Sequence, residues 1–223
     1  MTFTSDTKSI VIGGTSGIGK AVAAALQSRG GSVAVASRST GLDVADETAI
    51  IAYFDAYGPV DHVIFTAGSA APGGAVTDVA SEDAKRAFDT KFWGSVAVAK
   101  AAAKHIRRGG TITLTSGFLA RRTVPGTYVK TAMNAALEAT AKILAKELAP
   151  IRVNVVSPGL TDTEAYAGMD TAARTAMLQQ TAASLPAGKT GTPDDLALGY
   201  LFAIENPFVT GAVIDIDGGA LIN

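Results

Sequence analysis

The chain has 223 residues, 48% of them hydrophobic and 17% charged, and this composition indicates a globular domain with a substantial buried core. A formal net charge of -1 excludes a general electrostatic attraction for nucleic acid or acidic lipid, and the lack of cysteine excludes disulfides and thiolate chemistry. No apolar run is long enough to span a membrane and the first residues form no signal-peptide pattern, so we expect a cytoplasmic protein that binds neither membranes nor nucleic acid.

The first readable unit is a strand, a glycine-rich turn and a helix. Apolar residues 10–12 predict a buried strand, residues 20–29 predict a helix, and between them Gly13, Gly17 and Gly19 have the spacing G-x-x-x-G-x-G. Glycine lets a phosphate approach the backbone closely, and the next helix directs free N–H groups at the turn. The stretch predicts a pyrophosphate site rather than a plain glycine loop, the alternative interpretation. Its other predicted cofactor-binding residues are Thr15, Ser16 and Ile18.

Residues 32–37 predict a second strand, and Arg38 follows it directly. In a dinucleotide-binding fold, the end of this strand meets the adenosine ribose, where an acid binds a free 2′-hydroxyl and an arginine accommodates a 2′-phosphate. Because Ser37 and Arg38 are present and no acid is, we predict NADP(H) as cofactor rather than NAD(H). The alternative is that Arg38 is a solvated surface residue.

Strands and helices alternate through the rest of the chain. Helices are predicted over residues 46–57, 81–107, 128–148 and 171–183 and from Pro193 onward, and strands over 60–66, 111–116, 151–156 and 212–216. This order predicts an α/β fold, a Rossmann-type doubly wound parallel sheet flanked by helices. Ligands bind such sheets beyond the carboxyl ends of the strands. Candidate cofactor-binding residues at those ends include Ala67, Gly68, Pro158 and Gly159.

These motifs together resemble the short-chain dehydrogenase/reductase family, over essentially the whole chain. The resemblance rests on the glycine spacing, on Asp43 and Val44, which would contact adenine, on Ser116, and on segments 152–159 and 209–219. It implies one dinucleotide-binding domain over residues 1–223, a small substrate lid near 163–192, and a homo-oligomer, either dimer or tetramer. The remaining cofactor-binding candidates are Thr161 and Thr163.

The chain departs from the family after the second strand. Only Ser39, Thr40 and Gly41 precede the segment 42–44, where typical members have a helix and much of a strand. A parallel pair needs a crossover of a dozen or more residues. We therefore expect a shortened region in which the third strand is vestigial or reached by a tight loop.

The family's catalytic set of Asn, Ser, Tyr and Lys is also altered. Ser116 fits the serine and Tyr128 follows at nearly the usual distance, but Ala132 stands where Tyr-x-x-x-Lys requires lysine. Alignment on residues 135–138 instead places Lys130 at the tyrosine position and Asn134 at the lysine position.

The family asparagine falls at Lys91, so Lys91 and Asn134 look exchanged between neighbouring helices. The first hypothesis is an NADP(H)-dependent oxidoreductase for a carbonyl or alcohol substrate. Ser116 would polarise the substrate oxygen, Tyr128 or Lys130 would act as acid/base, and Lys91 would hold the ribose. The second is a catalytically inactive NADP(H)-binding protein, a sensor or partner subunit. Two distant histidines and no cysteine predict no metal site.

Overall fold

The computed structural model describes residues 3–68 and 71–223, and in these ranges six strands form one parallel sheet with the order β2-β1-β3-β4-β5-β6. The strands are β1 Lys8–Ile12, β2 Ser32–Ala36, β3 Val60–Phe65, β4 Ile106–Thr115, β5 Arg152–Pro158 and β6 Val213–Ile216. The helices are α1 Gly17–Gln27, α2 Glu47–Tyr57, α3 Ser81–Phe88, α4 Gly94–Ala102, α5 Tyr128–Glu147, α6 Thr171–Ser184 and α7 Pro193–Glu205. The predicted α/β fold with a parallel, doubly wound sheet is confirmed.

Helices cover both faces of the sheet, and the alternation of side chains along β1 shows how. Ile10 and Ile12 belong to one core with Phe54 of α2 and Leu137 of α5, whereas Val11 packs on the opposite face against α1 and α7. Successive side chains of a strand point to opposite faces, so one buried apolar strand supplies both cores. None of the helices in the described ranges is long and apolar enough to cross a membrane.

The chain changes direction across the sheet at β1. It runs from β1 to β2 on one side, and α2 then carries it back to β3 on the other side of β1. In open α/β sheets such a switch point leaves a crevice at the carboxyl ends of the strands, where ligands bind. The crevice here lies between the ends of β2, β1 and β3.

The shortened region after β2 contains no further strand. A 3-10 turn at Arg38–Thr40 leads into a loop, and β2 becomes an edge of the sheet. Leu42 and Val44 of this loop are buried in the same core as Ile50 and Phe54. Two apolar side chains on a loop thus cover core that a helix and strand would cover. Of the two alternatives expected for this region, a vestigial strand or a tight loop, the structure has a loop at 42–44.

The predicted helix over residues 81–107 is wrong in two respects. It is divided into α3 and α4 by a π-helical turn at Asp89–Trp93, and it ends at Ala102, before β4 begins. Gly109 and Gly110 lie inside β4. Their place coincides with a shift in the pairing register of β3 and β4, and a Cβ on Gly110 would lie less than 3.0 Å from the Asp61 carbonyl. Glycine inside a strand is typical of such irregularities and close approaches.

Candidate functional site

A cleft of about 430 Å³ opens at the carboxyl ends of β1, β2 and β3. We call it the glycine cleft, and most of the predicted cofactor-binding residues line it: Gly13, Thr15, Ser16, Gly17, Ile18, Gly19, Ser37, Arg38, Asp43, Val44, Ala67, Gly68 and Thr163. Sequence reasoning missed other lining residues: Ile12, Leu42, Thr66, Thr90, Glu164 and Ala165. Pro158, Gly159 and Thr161 are not among the lining residues, since Gly159 packs against Asp217 and Thr161 is buried in a bridge to Gly191.

The floor of the glycine cleft requires glycine for steric reasons. Gly13 has φ +86, and a Cβ there would lie 2.5 Å from the backbone nitrogen of Ala67. A Cβ on Gly19 would come within 3.0 Å of the Gly13 carbonyl and of the Thr66 hydroxyl. Real Cβ atoms do not approach so closely, so side chains are excluded where the backbone turns into α1. Glycine at these positions lets β1, the turn and α1 pack closely together at the floor of the cleft.

The start of α1 is open to an anion. Its N-cap residue, Ser16, makes no side-chain cap, so the first N–H groups of the helix are available. Glu164 occupies part of this space, because its Oε2 accepts a hydrogen bond from the Gly17 N–H at 2.8 Å. Backbone hydrogen bonds from Glu164 itself and from Gly17 lower the pKa of this carboxyl. A carboxylate at a helix N-terminus shows the polarity that a phosphate would meet there.

Arg38 lies at the edge of the glycine cleft, immediately after β2. It is exposed, and its guanidinium makes no hydrogen bond or ion pair with any residue of the described ranges. No carboxylate follows β2 closely, because the next acidic residue is Asp43. The cleft therefore has an unengaged cation at the end of its second strand.

A second group of side chains, which we call the β4 site, meets at the carboxyl end of β4. It consists of Lys91, Ser116, Lys130, Asn134 and Glu138. Lys91 points inward from the π-helical turn, and its Nζ donates to the Ser116 carbonyl at 2.7 Å. The fully buried Ser95 donates its hydroxyl to the Lys91 carbonyl at 2.5 Å, which satisfies a backbone acceptor of the π turn.

The charge of Lys91 is held in an unfavourable environment. Burial is the main cause and the nearby Lys130 the next, and together they lower the pKa of the Lys91 ammonium from 10.5 to about 8. Glu138 opposes them through its negative charge. Burial disfavours the charged form of an amine, and a neighbouring cation does the same. Lys91 therefore titrates nearer to neutral pH than an ordinary lysine.

Three residues of α5 share the face that meets β4. Lys130, Asn134 and Glu138 are spaced four apart, which aligns them along one side of a helix. Asn134 is 5% exposed, its Nδ2 lies 3.0 Å from where a Cβ on Gly117 would stand, and its Oδ1 has no hydrogen-bond partner. The predicted proximity of Lys91 and Asn134 is therefore supported by a shared neighbour, since Ser116 and Gly117 are consecutive.

The Ser116 hydroxyl is turned away from the role predicted for it. Its Oγ donates to Glu138 Oε1 at 2.8 Å, and a serine hydroxyl has only one proton to donate. Glu138 also pairs with Arg121, whose Nε lies 3.1 Å from Oε2, and Arg121 in turn binds Asp215. No sequence motif pointed to Glu138 or Arg121, because their contacts depend on the packing of α5 against the strand ends.

Tyr128 is not part of the β4 site. It lines a separate pocket of about 440 Å³ between α3 and α5, with Phe88, Trp93 and Ala132 among its neighbours. Tyr128 and Lys130 are two residues apart, so a regular helix turns them to different sides. No group of three or more His, Cys, Asp or Glu residues in the described part of the chain is arranged to hold a metal ion.

Comparison with known proteins gives consistent matches. A family model described as enoyl-(acyl carrier protein) reductase matches residues 13–220. A short-chain dehydrogenase/reductase of Stachybotrys chlorohalonatus is 33% identical, with 96% of each chain covered. Carbonyl reductase family member 4 of Xenopus tropicalis is 30% identical over 94% of this chain and 95% of that protein. A crystal structure of a small-chain dehydrogenase in complex with NADPH is 58% identical, with a TM-score of 0.96 over 98% of this chain and 100% of the other. The chain therefore belongs to the short-chain dehydrogenase/reductase family of oxidoreductases.

Proposed function

We propose that the protein is an NADP(H)-dependent oxidoreductase that transfers a hydride between the nicotinamide and a carbonyl or alcohol substrate. The observation that carries this proposal is the unengaged guanidinium of Arg38 at the edge of a cleft floored by glycine backbone. An arginine at the end of the second strand suits a 2′-phosphate, and the open start of α1 suits a pyrophosphate. The 58% identical neighbour binds NADPH, which supports the same choice.

The residues of the β4 site fit the ribose at the other end of such a cofactor. Asn134 Oδ1 is a buried acceptor that lacks a donor, and a ribose hydroxyl would supply one. Lys91 uses one of its three N–H groups on the Ser116 carbonyl and keeps two for ligands. We therefore propose that Lys91 and Asn134 have exchanged their usual helices and hold the ribose together.

When bound, NADPH supplies the hydride, and this chain must supply the proton for the substrate oxygen. The Ser116 hydroxyl donates to Glu138 and Tyr128 lines another pocket, so we do not assign the proton to either of them. Lys130, the alternative acid/base, makes no hydrogen bond with the described residues, whereas Lys91 is held at the end of β4 by the Ser116 carbonyl. Lys91 retains a free N–H, and its pKa of about 8 permits proton exchange near neutral pH. We propose Lys91 as the proton donor in reduction, with turnover falling above pH 8 as the ammonium is lost.

Cofactor choice provides the direct experiment. Fluorescence titration should show NADPH binding more tightly than NADH, and Arg38→Asp should reverse the order. Lys91→Met should weaken NADPH binding and remove reduction across a panel of carbonyl compounds, because one ammonium serves both tasks. Equal binding of the two cofactors by the native protein would contradict the assignment of Arg38. Normal turnover by Lys91→Met would contradict the assignment of the proton donor.

We also propose that the protein forms a homo-oligomer. Trp93, beside the pocket that contains Tyr128, is 58% exposed, and Ile143 of α5 is 54% exposed. Large apolar side chains exposed on adjoining helices suit a contact with a symmetry mate. Sedimentation at micromolar concentration should give a dimer or tetramer, and Ile143→Glu should shift it toward monomer. A native monomer at that concentration would remove this proposal.

A further inference from the structure

The charges around the β4 site do not balance. Arg121, which lies next to the β4 site, is paired with two carboxylates, that of Glu138 within the site and that of Asp215 beside it. Lys91 has no carboxylate partner, and its neighbour Lys130 makes no ion pair or hydrogen bond with any residue between 3–68 and 71–223. Three cations thus face two carboxylates that are already engaged. The excess positive charge lies on the two lysines.

Lys130 places part of this positive charge beyond the carboxyl end of β4. Along one face of α5, Glu138 contacts Ser116 and Asn134 lies next to Gly117. Lys130 is one turn nearer the start of α5 than Asn134 is. At this level the helix extends beyond the last residue of β4. Lys130 is only partly buried, so a ligand at the strand ends can reach it.

The two lysines also disfavour each other. Lys130 is, after burial, the second cause that lowers the pKa of the Lys91 ammonium, because a nearby cation disfavours a second positive charge. A partly buried cation without a partner is unfavourable, whereas an ammonium bonded to a carboxylate makes a strong, charge-assisted hydrogen bond. An anion that lies against Lys130 would offset the repulsion between the two lysines.

We propose that the substrate is a small carbonyl compound bearing a carboxylate, an oxo acid in the direction of reduction, and that Lys130 binds this carboxylate. The inference rests on the proposed function, because it names the substrate class of that same site. In the reaction an oxo acid, NADPH and a proton from Lys91 give a hydroxy acid and NADP⁺. As the C–H bond of the dihydronicotinamide breaks, the hydride would form a C–H bond at the carbonyl carbon, and the electron pair of the carbonyl π bond would move to the oxygen. The oxygen would take a proton from the Lys91 ammonium, which becomes an amine and regains a proton from solvent, and the carboxylate is unchanged.

Binding to the NADP⁺-loaded protein tests the proposal without turnover. The probes are pyruvate, acetoacetate and levulinate, each compared by calorimetry with its uncharged amide, which has nearly the same shape. At least one acid should bind roughly 10- to 100-fold more tightly than its amide, the range expected of a hydrogen bond to a charged group. Amides that bind as well as the acids in all three pairs would overturn the proposal.

Variants of α5 locate the effect. In protein saturated with NADP⁺, Lys130→Met should abolish the preference for acid over amide, and Lys130→Gln should do the same with a polar side chain. Lys142→Met is the matched control, because Lys142 is exposed on the same helix and makes no ion pair in the described structure. A preference that persists in a folded Lys130→Met or Lys130→Gln protein would also overturn the proposal.

The two proposals fail in different ways. If NADPH does not bind the native protein, the proposed function is wrong. If NADPH binds and carbonyl compounds are reduced, but acids and amides are bound alike, only the substrate class is wrong. Reduction of levulinate by native protein but not of levulinamide, with the difference lost in Lys130→Gln, is the result expected in turnover.

Discussion

The glycine cleft and the β4 site are neighbours along the carboxyl edge of the sheet, but they are built differently. The cleft is shaped by backbone, and its requirements at Gly13 and Gly19 come from contacts that no side chain would allow. The β4 site is shaped by side chains from the π turn, the end of β4 and α5, which are far apart in the chain. The contrast teaches that a site made of backbone is encoded locally, whereas a site made of converging side chains is encoded by packing.

The largest effect should come from crowding the backbone at the floor of the cleft. In Gly19→Ala the new Cβ would come within 3.0 Å of the Gly13 carbonyl, and we expect roughly 100-fold weaker NADPH binding, the equivalent of about 3 kcal/mol of overpacking. Gly30→Ala is the control, because Gly30 also has positive φ but no atom within 4 Å of the added carbon. That variant should lose about 1–2 kcal/mol of stability and bind NADPH normally. Equal losses of NADPH affinity in Gly19→Ala and Gly30→Ala would contradict the view that backbone packing shapes the cleft.

The β4 site should instead affect how the free energy of unfolding depends on pH. The pKa of Lys91 is about 8 in the folded protein and 10.5 when unfolded, so between these values the unfolded state binds more protons. The free energy of unfolding of the native protein should therefore rise with pH across this window, by on the order of 2 kcal/mol relative to Lys91→Met. Denaturant titrations at pH 7 and pH 10 measure this difference. Parallel behaviour of the two proteins would show that Lys91 is not held in a destabilising environment.

A smaller effect is expected at the start of α1. Glu164 accepts from the Gly17 N–H, so a phosphate that binds there must displace its carboxylate. Glu164→Gln should tighten NADPH binding roughly two- to fivefold, as expected for removing an anion from a helix N-terminus. Glu147→Gln, an exposed carboxylate on α5, is the control and should leave binding unchanged. Weaker binding by Glu164→Gln would mean that the carboxylate contacts the cofactor favourably.

The smallest effect should come from Tyr128→Phe. Because Tyr128 lines the pocket between α3 and α5, we expect kcat to stay within about twofold of native, as for a substitution away from the site. A general acid at this position would instead be worth ~10²–10⁴ in rate. A loss of that size would place Tyr128 in the reaction and assign the β4 site to binding alone.

The sequence predicted the parallel sheet and most residues of the glycine cleft, because glycine spacing and apolar periodicity are local signals. It did not predict Glu164 at the start of α1, since an exposed acid on a loop is indistinguishable from a solvated one. It assigned Ser116 to the substrate oxygen, whereas the hydroxyl donates to Glu138, a residue 22 positions later. Such a pairing depends on how α5 lies against the strand, and that is decided by tertiary packing.

The division of the predicted long helix has the same origin. Residues 81–102 have helical composition throughout, and nothing in the pattern of apolar residues reveals that one turn closes through the Gly94 N–H and the Asp89 carbonyl. The π turn also changes the direction of the Lys91 side chain. The residue on which the β4 site depends therefore lies where the regular helical periodicity is interrupted. π turns are frequent at functional sites for this reason.

The π turn also makes the length of this segment critical. It holds one residue more than the α-helical turn it replaces, so α3 and α4 are out of phase by about 100° relative to one continuous helix. The two halves have separate tasks, because Phe88 of α3 packs toward α5 and Val98 of α4 packs into the sheet core. Deletion of one residue from the π turn would bring α3 and α4 into the phase of one continuous helix. Either α3 would then lose its packing against α5 or α4 would lose its packing against the sheet core. We therefore expect the packing of α3 and α4 to depend on the number of residues in this segment as well as on their identity.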